Sequence, residues 1–283
     1  MIQALDMIVS FHPHLPGDVN LRLNSTTFKA PGKVEFLRQA RGVILPQSCK
    51  AEHYWSCKQY CSHVFPNYDW RYGFEGKCGN ARLFSRFGAS QPASRCYETV
   101  AQFGSRVLAL DSNGHLLWPA VLKPDRGGGG YLVRLVRGPD DLDRVLRQLS
   151  KLEQKGQYGF MVQEYRETDS RDLRVVVVGD RFYSYWRCQP NPQEFRTNLG
   201  RGGRIVMNGW PRQQGLGSEL VRTFCHQTGL NLAAFDLIFP VDSGEREALF
   251  LEINYCFGRR GVGGTDRFRR LLLDAVGRWQ RML

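Results

Sequence analysis

Short apolar runs alternate with amphipathic stretches along the first 76 residues. The runs LDMIVSF, GVILPQ and HVFPNY predict strands, and the segments KVEFLRQA and AEHYWSCKQYCS between them have helical spacing. Strand, helix, strand, helix, strand is the order of a parallel sheet with helices on its faces. The segment FHPHLPGDVN follows the first strand, where such sheets place ligand-contacting loops. We therefore predict a small α/β domain over residues 1–76.

The pattern changes from residue 77 onward. A helix ended by Gly88 is predicted for NARLFSRFGASQP, and two strands around an Asn-Gly turn are predicted for RVLALDSNGHLLWPAVLKP. A strand (YLVRLV), a helix (DDLDRVLRQLSKLEQ) and another strand (GFMVQEY) follow. Further on, DLRVVVVGDRFYSYWR and AAFDLIFPVDSGEREALFLEIN predict two hairpins, with the helix SELVRTFCHQTGL between them. We predict two α+β subdomains, residues 77–163 and 164–283, beside the N-terminal α/β domain.

Four consecutive glycines follow a lysine in VLKPDRGGGGYLVRLV: Gly127, Gly128, Gly129 and Gly130 come shortly after Lys123. A Walker loop and a dinucleotide fingerprint both need a helix after the glycines, whereas the run YLVRLV predicts a strand. The glycines therefore form the tip of a β-hairpin. Their N–H groups could turn toward an anion, and a loop that is mobile when empty could close over phosphates. The alternative is a flexible surface hairpin.

The longer hairpin predicts a group of oxygen donors. If its strands pair about Gly244, Asp236 lies opposite Glu252, and Asn254 lies on the same face as Glu252. Two carboxylates and an amide suit Mg²⁺ or Mn²⁺, which would also offset the cost of a carboxylate in the apolar run LFLEIN. Salt bridges to the abundant arginines are the alternative.

The shorter hairpin predicts an anion clamp. With Gly179-Asp180 as its turn, Asp172 faces Arg187, and Arg174 lies on the same side. The polar loop EFRTNLGRGGR then supplies Arg196 and Asn198. A phosphate or carboxylate clamp is built from such groups.

The composition is basic, and it excludes few classes of binding partner. The net charge is +12, with 31 Arg against 8 Lys, so an anionic substrate and a nucleic acid are both admissible partners. No RNP-type motif, zinc finger or basic-region heptad favours nucleic acid, and the basic C-terminal stretch is typical of a solvated helix face. We expect no contact with a membrane, because no apolar run approaches roughly 20 residues. The N-terminus lacks the features of a signal peptide, so we expect a cytoplasmic protein.

The eight cysteines are scattered without the spacing of a disulfide framework, so we expect reduced thiols. Cys57 and Cys61 are four residues apart in a predicted helix and could face one zinc ion. No second pair of Cys or His residues completes such a site in the sequence.

Over roughly residues 77–264 the chain resembles the RimK-like branch of the ATP-grasp enzymes, the ribosomal-protein glutamate ligases and their relatives. The segments that carry the resemblance are, in order, VLKPDRGGGG, FMVQEY, RDLRVVVVGD, EFRTNLGRGG, AAFDLIF and LEIN. The resemblance implies an ATP-grasp fold with an N-terminal pre-ATP-grasp domain and ATP bound between two subdomains. It implies an ATP-dependent ligase that joins a small-molecule or peptide carboxylate to an amine through an acyl phosphate. An ATP-grasp kinase and a nucleotide-dependent RNA-binding protein are the alternatives, and a homodimer is left open.

The resemblance also implies roles for particular residues. Asp236, Glu252 and Asn254 would hold Mg²⁺. For the implied reaction we predict that Arg187 and Arg196 are catalytic and offset charge on the transferred phosphoryl group. The nucleotide-binding residues would be Lys77, Lys123, Gly127, Gly128, Gly129, Gly130, Gln163, Glu164, Tyr165, Asp172, Arg196, Thr197 and Asn198. The chain departs from the family after LEIN, where Ser or Thr and Pro-Gly are usual but Tyr255, Cys256 and Phe257 stand here. The resemblance therefore leaves the substrate open.

Overall fold

The first sheet lies in the N-terminal part of the chain. The structure is a computed structural model that describes residues 7–23, 28, 31–105 and 118–283. The N-terminal elements are β1 (Met7–Ser10), β2 (Val19–Asn20), α1 (Pro31–Gln39), β3 (Ala40–Ile44), α2 (Ala51–Tyr60) and β4 (Val64–Phe65). The strands form a parallel sheet in the order β2-β1-β3-β4, which confirms the predicted α/β arrangement.

A second sheet is small and antiparallel, in the order β5-β8-β6-β7. Its region contains α3 (Gly76–Arg86), β5 (Ser94–Tyr97), α4 (Val100–Ser105), β6 (Ala120–Pro124), β7 (Arg134–Val136), α5 (Pro139–Glu153) and β8 (Phe160–Glu164). One face of the sheet packs on α4 and α5 through a core that includes Phe103, Leu122 and Phe160. The first strand and Asn-Gly turn predicted within residues 106–117 lie outside the described residues.

The third sheet is larger, antiparallel and ordered β11-β10-β9-β12-β13. Its region contains β9 (Arg171–Val178), β10 (Arg181–Cys188), β11 (Arg204–Val206), α6 (Pro211–Thr228), β12 (Leu232–Ile238), β13 (Leu249–Asn254) and α7 (Gly264–Met282). Three parts, one with a parallel sheet and two with antiparallel sheets and helices, agree with the predicted fold class. Of the helices in the described ranges, none has the length and apolarity needed to cross a membrane.

The two faces of β9 serve different purposes. Leu173, Val175 and Val177 join a core with α3 and α6, whereas Val176 and Val178 join a core shared with the N-terminal sheet and α7. Side chains of a strand alternate between faces, so Asp172 and Arg174 extend the second face beyond its apolar part. This polar end of the face becomes the floor of the site described below.

Helix α3 connects the two antiparallel sheets. Its buried Leu83 and Phe84 pack in the core of the large sheet, while Cys78 forms a disulfide with Cys96 on β5 of the small sheet. The expectation of reduced thiols throughout is wrong for this pair, because the fold brings together two cysteines that lie 18 residues apart in sequence. The subdomain boundary at residue 77 falls inside α3 and stays a prediction.

Candidate functional site

A cleft between the two antiparallel sheets gathers nearly all of the residues that the sequence predicts for a site. They come from α3, β6, β8, β9, β10, β12, β13 and the loops that follow β6, β8 and β10. The predicted residues that line the cleft are Lys77, Lys123, Gly127, Gly128, Gly129, Gly130, Gln163, Glu164, Tyr165, Asp172, Arg187, Arg196, Thr197, Asn198, Asp236 and Glu252. Asn254 is not among the residues that line the cleft, but its Nδ2 donates to Asp236 Oδ2 at 3.2 Å.

The glycine loop, residues 127–130, is the hairpin tip that the sequence predicts. Strands β6 and β7 pair antiparallel on either side of it. Strand β7 begins three residues later than the run YLVRLV predicts, because turn hydrogen bonds continue the loop from Gly128 and Gly130 to Tyr131 and Val133. Gly130 has a φ of +71°, and a Cβ there would lie 2.7 Å from Asn198 Oδ1. A side chain at Gly130 would therefore be strained at this positive φ and would clash where the two loops approach each other.

Two lysines stand at the inner end of the glycine loop. Lys77 Nζ donates to the carbonyl of Gly127 at 3.0 Å and lies 3.9 Å from Glu252 Oε1. Lys123 Nζ donates to Gln163 Oε1 at 2.6 Å. Burial lowers the pKa of Lys123 to about 8, with a contribution from Lys77, although Glu252 and Asp236 oppose the shift. An anion entering the cleft would restore the charge of this lysine.

A chain of buried charges forms the floor of the cleft. Asp172 lies opposite Arg187 and Asp236 lies opposite Glu252 across their hairpins, which confirms both predicted registers. Arg187 forms a bidentate pair with Asp172, and its Nη2 also lies 3.0 Å from Asp236 Oδ2. Arg174 makes a second bidentate pair with Asp236, with both hydrogen bonds at 2.7 Å.

These pairs determine the charge states on the floor. Burial alone would lower the pKa of Arg187, but Asp172 and Asp236 outweigh it and raise this pKa above its ordinary value. Burial would raise the pKa of Asp236, but Arg174 and Arg187 hold it below its usual range. Arg174, Arg187 and Asp236 are therefore ionised near neutral pH, and each arginine is fixed in orientation by a carboxylate.

The predicted metal ligands are close together but differ in availability. Asp236 accepts from Arg174, Arg187 and Asn254, so most of its acceptor capacity is occupied. Glu252 lines the cleft, lies 3.9 Å from the ammonium of Lys77 and also acts on the charge of Lys123. Across the described ranges, no three His, Cys, Asp or Glu side chains are arranged to hold a metal. Two carboxylates and an amide still match the chemistry of Mg²⁺, with Glu252 as the most accessible donor.

Several cleft residues are missing from the sequence prediction. The apolar walls include Val121, Phe195, Ile238 and Leu251, and Arg171 adds a further guanidinium. Strand alternation could have identified two of them, because Val121 is two residues from Lys123 and Ile238 is two from Asp236. Phe195 has no such signal, since it stands in an irregular loop and reaches the cleft only through the fold.

The comparison with protein families agrees with this geometry. The RimK-like ATP-grasp domain model matches residues 98–267, more than half of the chain. The chain belongs to the RimK-like ATP-grasp family. The matched segment includes the glycine loop, both hairpins and the floor of the cleft.

Curated relatives of the family align over part of their length. The chain is 30% identical over 148 residues to a probable alpha-L-glutamate ligase 1 of Shewanella amazonensis, which is 49% of this chain and 46% of the relative. It is 30% identical over 145 residues to a probable alpha-L-glutamate ligase 1 of Hahella chejuensis, covering 48% and 45%. The chain thus spans about half the length of the curated relatives that it matches.

Solved structures of low identity share the fold. A RimK domain ATP-grasp protein from Sphaerobacter thermophilus matches with a TM-score of 0.55 and 13% identity, covering 95% of this chain and 99% of that chain. An ADP complex of PurK, an N5-carboxyaminoimidazole ribonucleotide synthetase, matches with 0.60 and 10%, covering 87% and 62%. VanG D-Ala:D-Ser ligase from Enterococcus faecalis matches with 0.54 and 16%, covering 72% and 61%. At these identities the likeness establishes the ATP-grasp fold.

Proposed function

We propose that this protein is an ATP-dependent ligase that joins a carboxylate to an amine. One observation carries the proposal: a single cleft is lined by two lysines, a glycine loop and a floor of paired arginines and carboxylates. The family membership and the glutamate-ligase names of the relatives support the same assignment. The chemistry is transfer of the terminal phosphoryl group of ATP to a substrate carboxylate, followed by attack of an amine on the acyl phosphate. An amide, ADP and phosphate result.

The cleft provides separate surfaces for the two ends of the nucleotide. The cleft is lined in part by aromatic and aliphatic side chains that suit the faces of an adenine; they include Tyr165, Phe195, Val121 and Ile238. Glu164 ends β8 and lines the cleft, and we assign it a polar contact with the base. At the other end, the glycine loop and the lysines offer N–H groups and positive charge to the phosphates.

The reaction needs positioning and charge stabilisation more than a protein nucleophile. Arg187 is fixed by Asp172 and Asp236, so its orientation is established before substrate arrives. Thr197 donates to Asp172 Oδ2 at 2.6 Å and ties the loop after β10 to this pair. We assign Arg187 to the oxygens of the transferred group. A fixed guanidinium stabilises developing charge without having to reorganise during the reaction.

Glu252 and Asn254 would hold Mg²⁺, with Asp236 joining them if it releases one of its arginine contacts. The metal, when bound, would offset negative charge on the phosphates and help to orient them. Glu252 is the donor to test, because its side chain is 30% exposed and its replacement by Gln keeps its size. Its loss should therefore affect the reaction more than the fold.

The test is a screen of amino acids and short peptides for ADP release, followed by measurement of the product mass. A ligase gives free phosphate and a product whose mass is the sum of the two substrates less one water. A kinase would instead leave the phosphate on the product. We expect Glu252→Gln to lower substrate-dependent ADP release by about a hundredfold, as when one group that stabilises reacting charge is removed.

The matched control is Glu219→Gln, which removes an exposed carboxylate on α6 that pairs with Arg222. This variant should keep full activity, and both variants should melt within a few degrees of the wild type. Unchanged turnover in Glu252→Gln would contradict the metal assignment. Tight ATP binding with no turnover on any carboxylate would contradict the ligase assignment itself.

A further inference from the structure

The guanidinium of Arg196 is already occupied in this structure. Its Nε donates to Glu194 Oε1 at 2.7 Å and its Nη2 donates to Glu194 Oε2 at 2.6 Å. Its Nη1 donates instead to two carbonyls beside the glycine loop, those of Gly130 at 3.2 Å and Val133 at 3.3 Å. Arg196 therefore connects the loop after β10 to the glycine hairpin of the small sheet.

Glu194 holds this arrangement at both of its oxygens. The two side chains are only 16% and 14% exposed, and the backbone N–H of Arg196 also donates to Glu194 Oε1 at 3.0 Å. A bidentate pair fixes the plane of the guanidinium, so the remaining nitrogen points in one direction. That direction is toward Gly130 and Val133.

The charge of Glu194 also counteracts a local excess of arginines. Burial, Arg196 and Arg201 lower the pKa of Arg134, which begins strand β7 just beyond the glycine loop. Arg196 must therefore approach a hairpin that already carries a like charge. The hydrogen bonds from Arg196 hold the pKa of Glu194 below its usual range, so Glu194 supplies a full negative charge at neutral pH.

We propose that Glu194 is a positioning residue that orients Arg196, and that Arg196 holds the glycine loop against the large-sheet subdomain in its closed position. The inference rests on the proposed function only in naming ATP as the molecule over which the loop closes. These contacts form without nucleotide and therefore keep most molecules in the closed, binding-competent state. If they are lost, fewer molecules are closed, and the apparent affinity for ATP falls in proportion to the closed fraction. Asn198, whose Oδ1 would lie 2.7 Å from a Cβ at Gly130, belongs to the same interface.

The main experiment uses Glu194→Gln, which keeps the shape of the side chain and removes its charge. We expect the dissociation constant of ATP, measured calorimetrically, to rise about fivefold to tenfold, while kcat at saturating ATP changes less than twofold. Loop opening is measured separately by chymotrypsin, because Tyr131 is 59% exposed and stands between the two carbonyls that Arg196 holds. Cleavage after Tyr131, followed by mass spectrometry without nucleotide, should be several times faster in the variant.

Two further variants separate orientation from charge. Glu194→Asp keeps the charge but shortens the reach, so it should recover part of the wild-type affinity. Arg196→Lys keeps a cation but loses the bidentate geometry, so cleavage after Tyr131 without nucleotide should rise as it does in Glu194→Gln. It also provides a test if the first variant is unstable. Asp180→Asn is the matched control. It removes a carboxylate on the β9–β10 turn that pairs with Arg278 of α7, and it should leave ATP affinity and cleavage after Tyr131 unchanged.

Two results would overturn the inference. One is a Glu194→Gln protein that matches the wild type in both ATP affinity and Tyr131 cleavage. The other is a fall in kcat with unchanged affinity and cleavage, which would place the pair in the chemical step rather than in loop closure. The cleavage assay needs no turnover, so it remains decisive even if no ligase substrate is found.

Discussion

Lys123 should make ATP binding depend on pH in a range where most lysines do not titrate. Burial lowers its pKa to about 8, and Lys77 adds to the shift. The folded protein at pH 8 therefore contains comparable amounts of ammonium and neutral amine at this position. Only the ammonium attracts a phosphate, and its contact with Gln163 orients it along the cleft.

The size of the effect follows from the charged fraction. With a pKa near 8, about nine-tenths of the molecules carry the ammonium at pH 7 and about one-tenth carry it at pH 9. If the neutral form binds ATP much more weakly, the apparent dissociation constant rises in inverse proportion to the charged fraction. Affinity should thus fall about tenfold from pH 7 to pH 9.

The assay is calorimetric titration with a non-hydrolysable ATP analogue and Mg²⁺ at half-unit steps from pH 7 to pH 9. Lys123→Gln should bind more weakly at pH 7 and show little further change. Lys151→Gln, which alters an exposed lysine on α5, should retain the wild-type profile. A wild-type affinity that stays constant across the range would refute the reasoning, and so would a tenfold fall that persists in Lys123→Gln.

Two other features of the cleft and its neighbourhood lead to measurable outcomes. Gly130→Ala places a Cβ at positive φ and 2.7 Å from Asn198 Oδ1, so the closed loop should be destabilised by about 1 kcal/mol. ATP binding should then weaken about fivefold in the same titration. Gly128→Ala, which has open space around it, should bind ATP with the wild-type affinity. Cys96→Ser should lower the free energy of unfolding in urea by about 3 kcal/mol, because the lost disulfide to Cys78 joins positions 18 residues apart. Thiol titration of the denatured, unreduced wild type should find six of the eight cysteines free, and a count of eight would contradict the disulfide.

Local pattern was enough to place the strands of the site opposite one another. A two-residue turn fixes which residues face each other in the β9–β10 hairpin, whereas residues 239–248 join β12 to β13 and the register shifts between Asp236 and Leu237. In both hairpins the alternation of side chains determines the shared face. The predicted pairs of Asp172 with Arg187 and of Asp236 with Glu252 are confirmed. The position of the glycine loop at a hairpin tip followed in the same way, from the strand-like residues after it.

The partners of those side chains could not be predicted by the same rules. Arg174 meets Asp236 because β9 pairs with β12, and these strands are separated in sequence by β10, β11 and α6. The disulfide and the contact of Arg196 with the glycine loop also join distant segments. In each case the contact depends on how whole elements pack, and turn chemistry carries no information about that packing.

The charges of the cleft support the proposal that a cation binds together with the nucleotide. Lys77, Lys123, Arg174 and Arg187 are opposed by the carboxylates of Asp172, Asp236 and Glu252, while Arg196 is neutralised by Glu194. These groups leave an excess of one positive charge, less than a triphosphate would require. Each floor arginine also remains bound to a carboxylate and cannot give all its donors to phosphate. A divalent ion at Glu252 would correct the charge deficit and would also free Lys77, because it would bind the carboxylate that now faces this lysine.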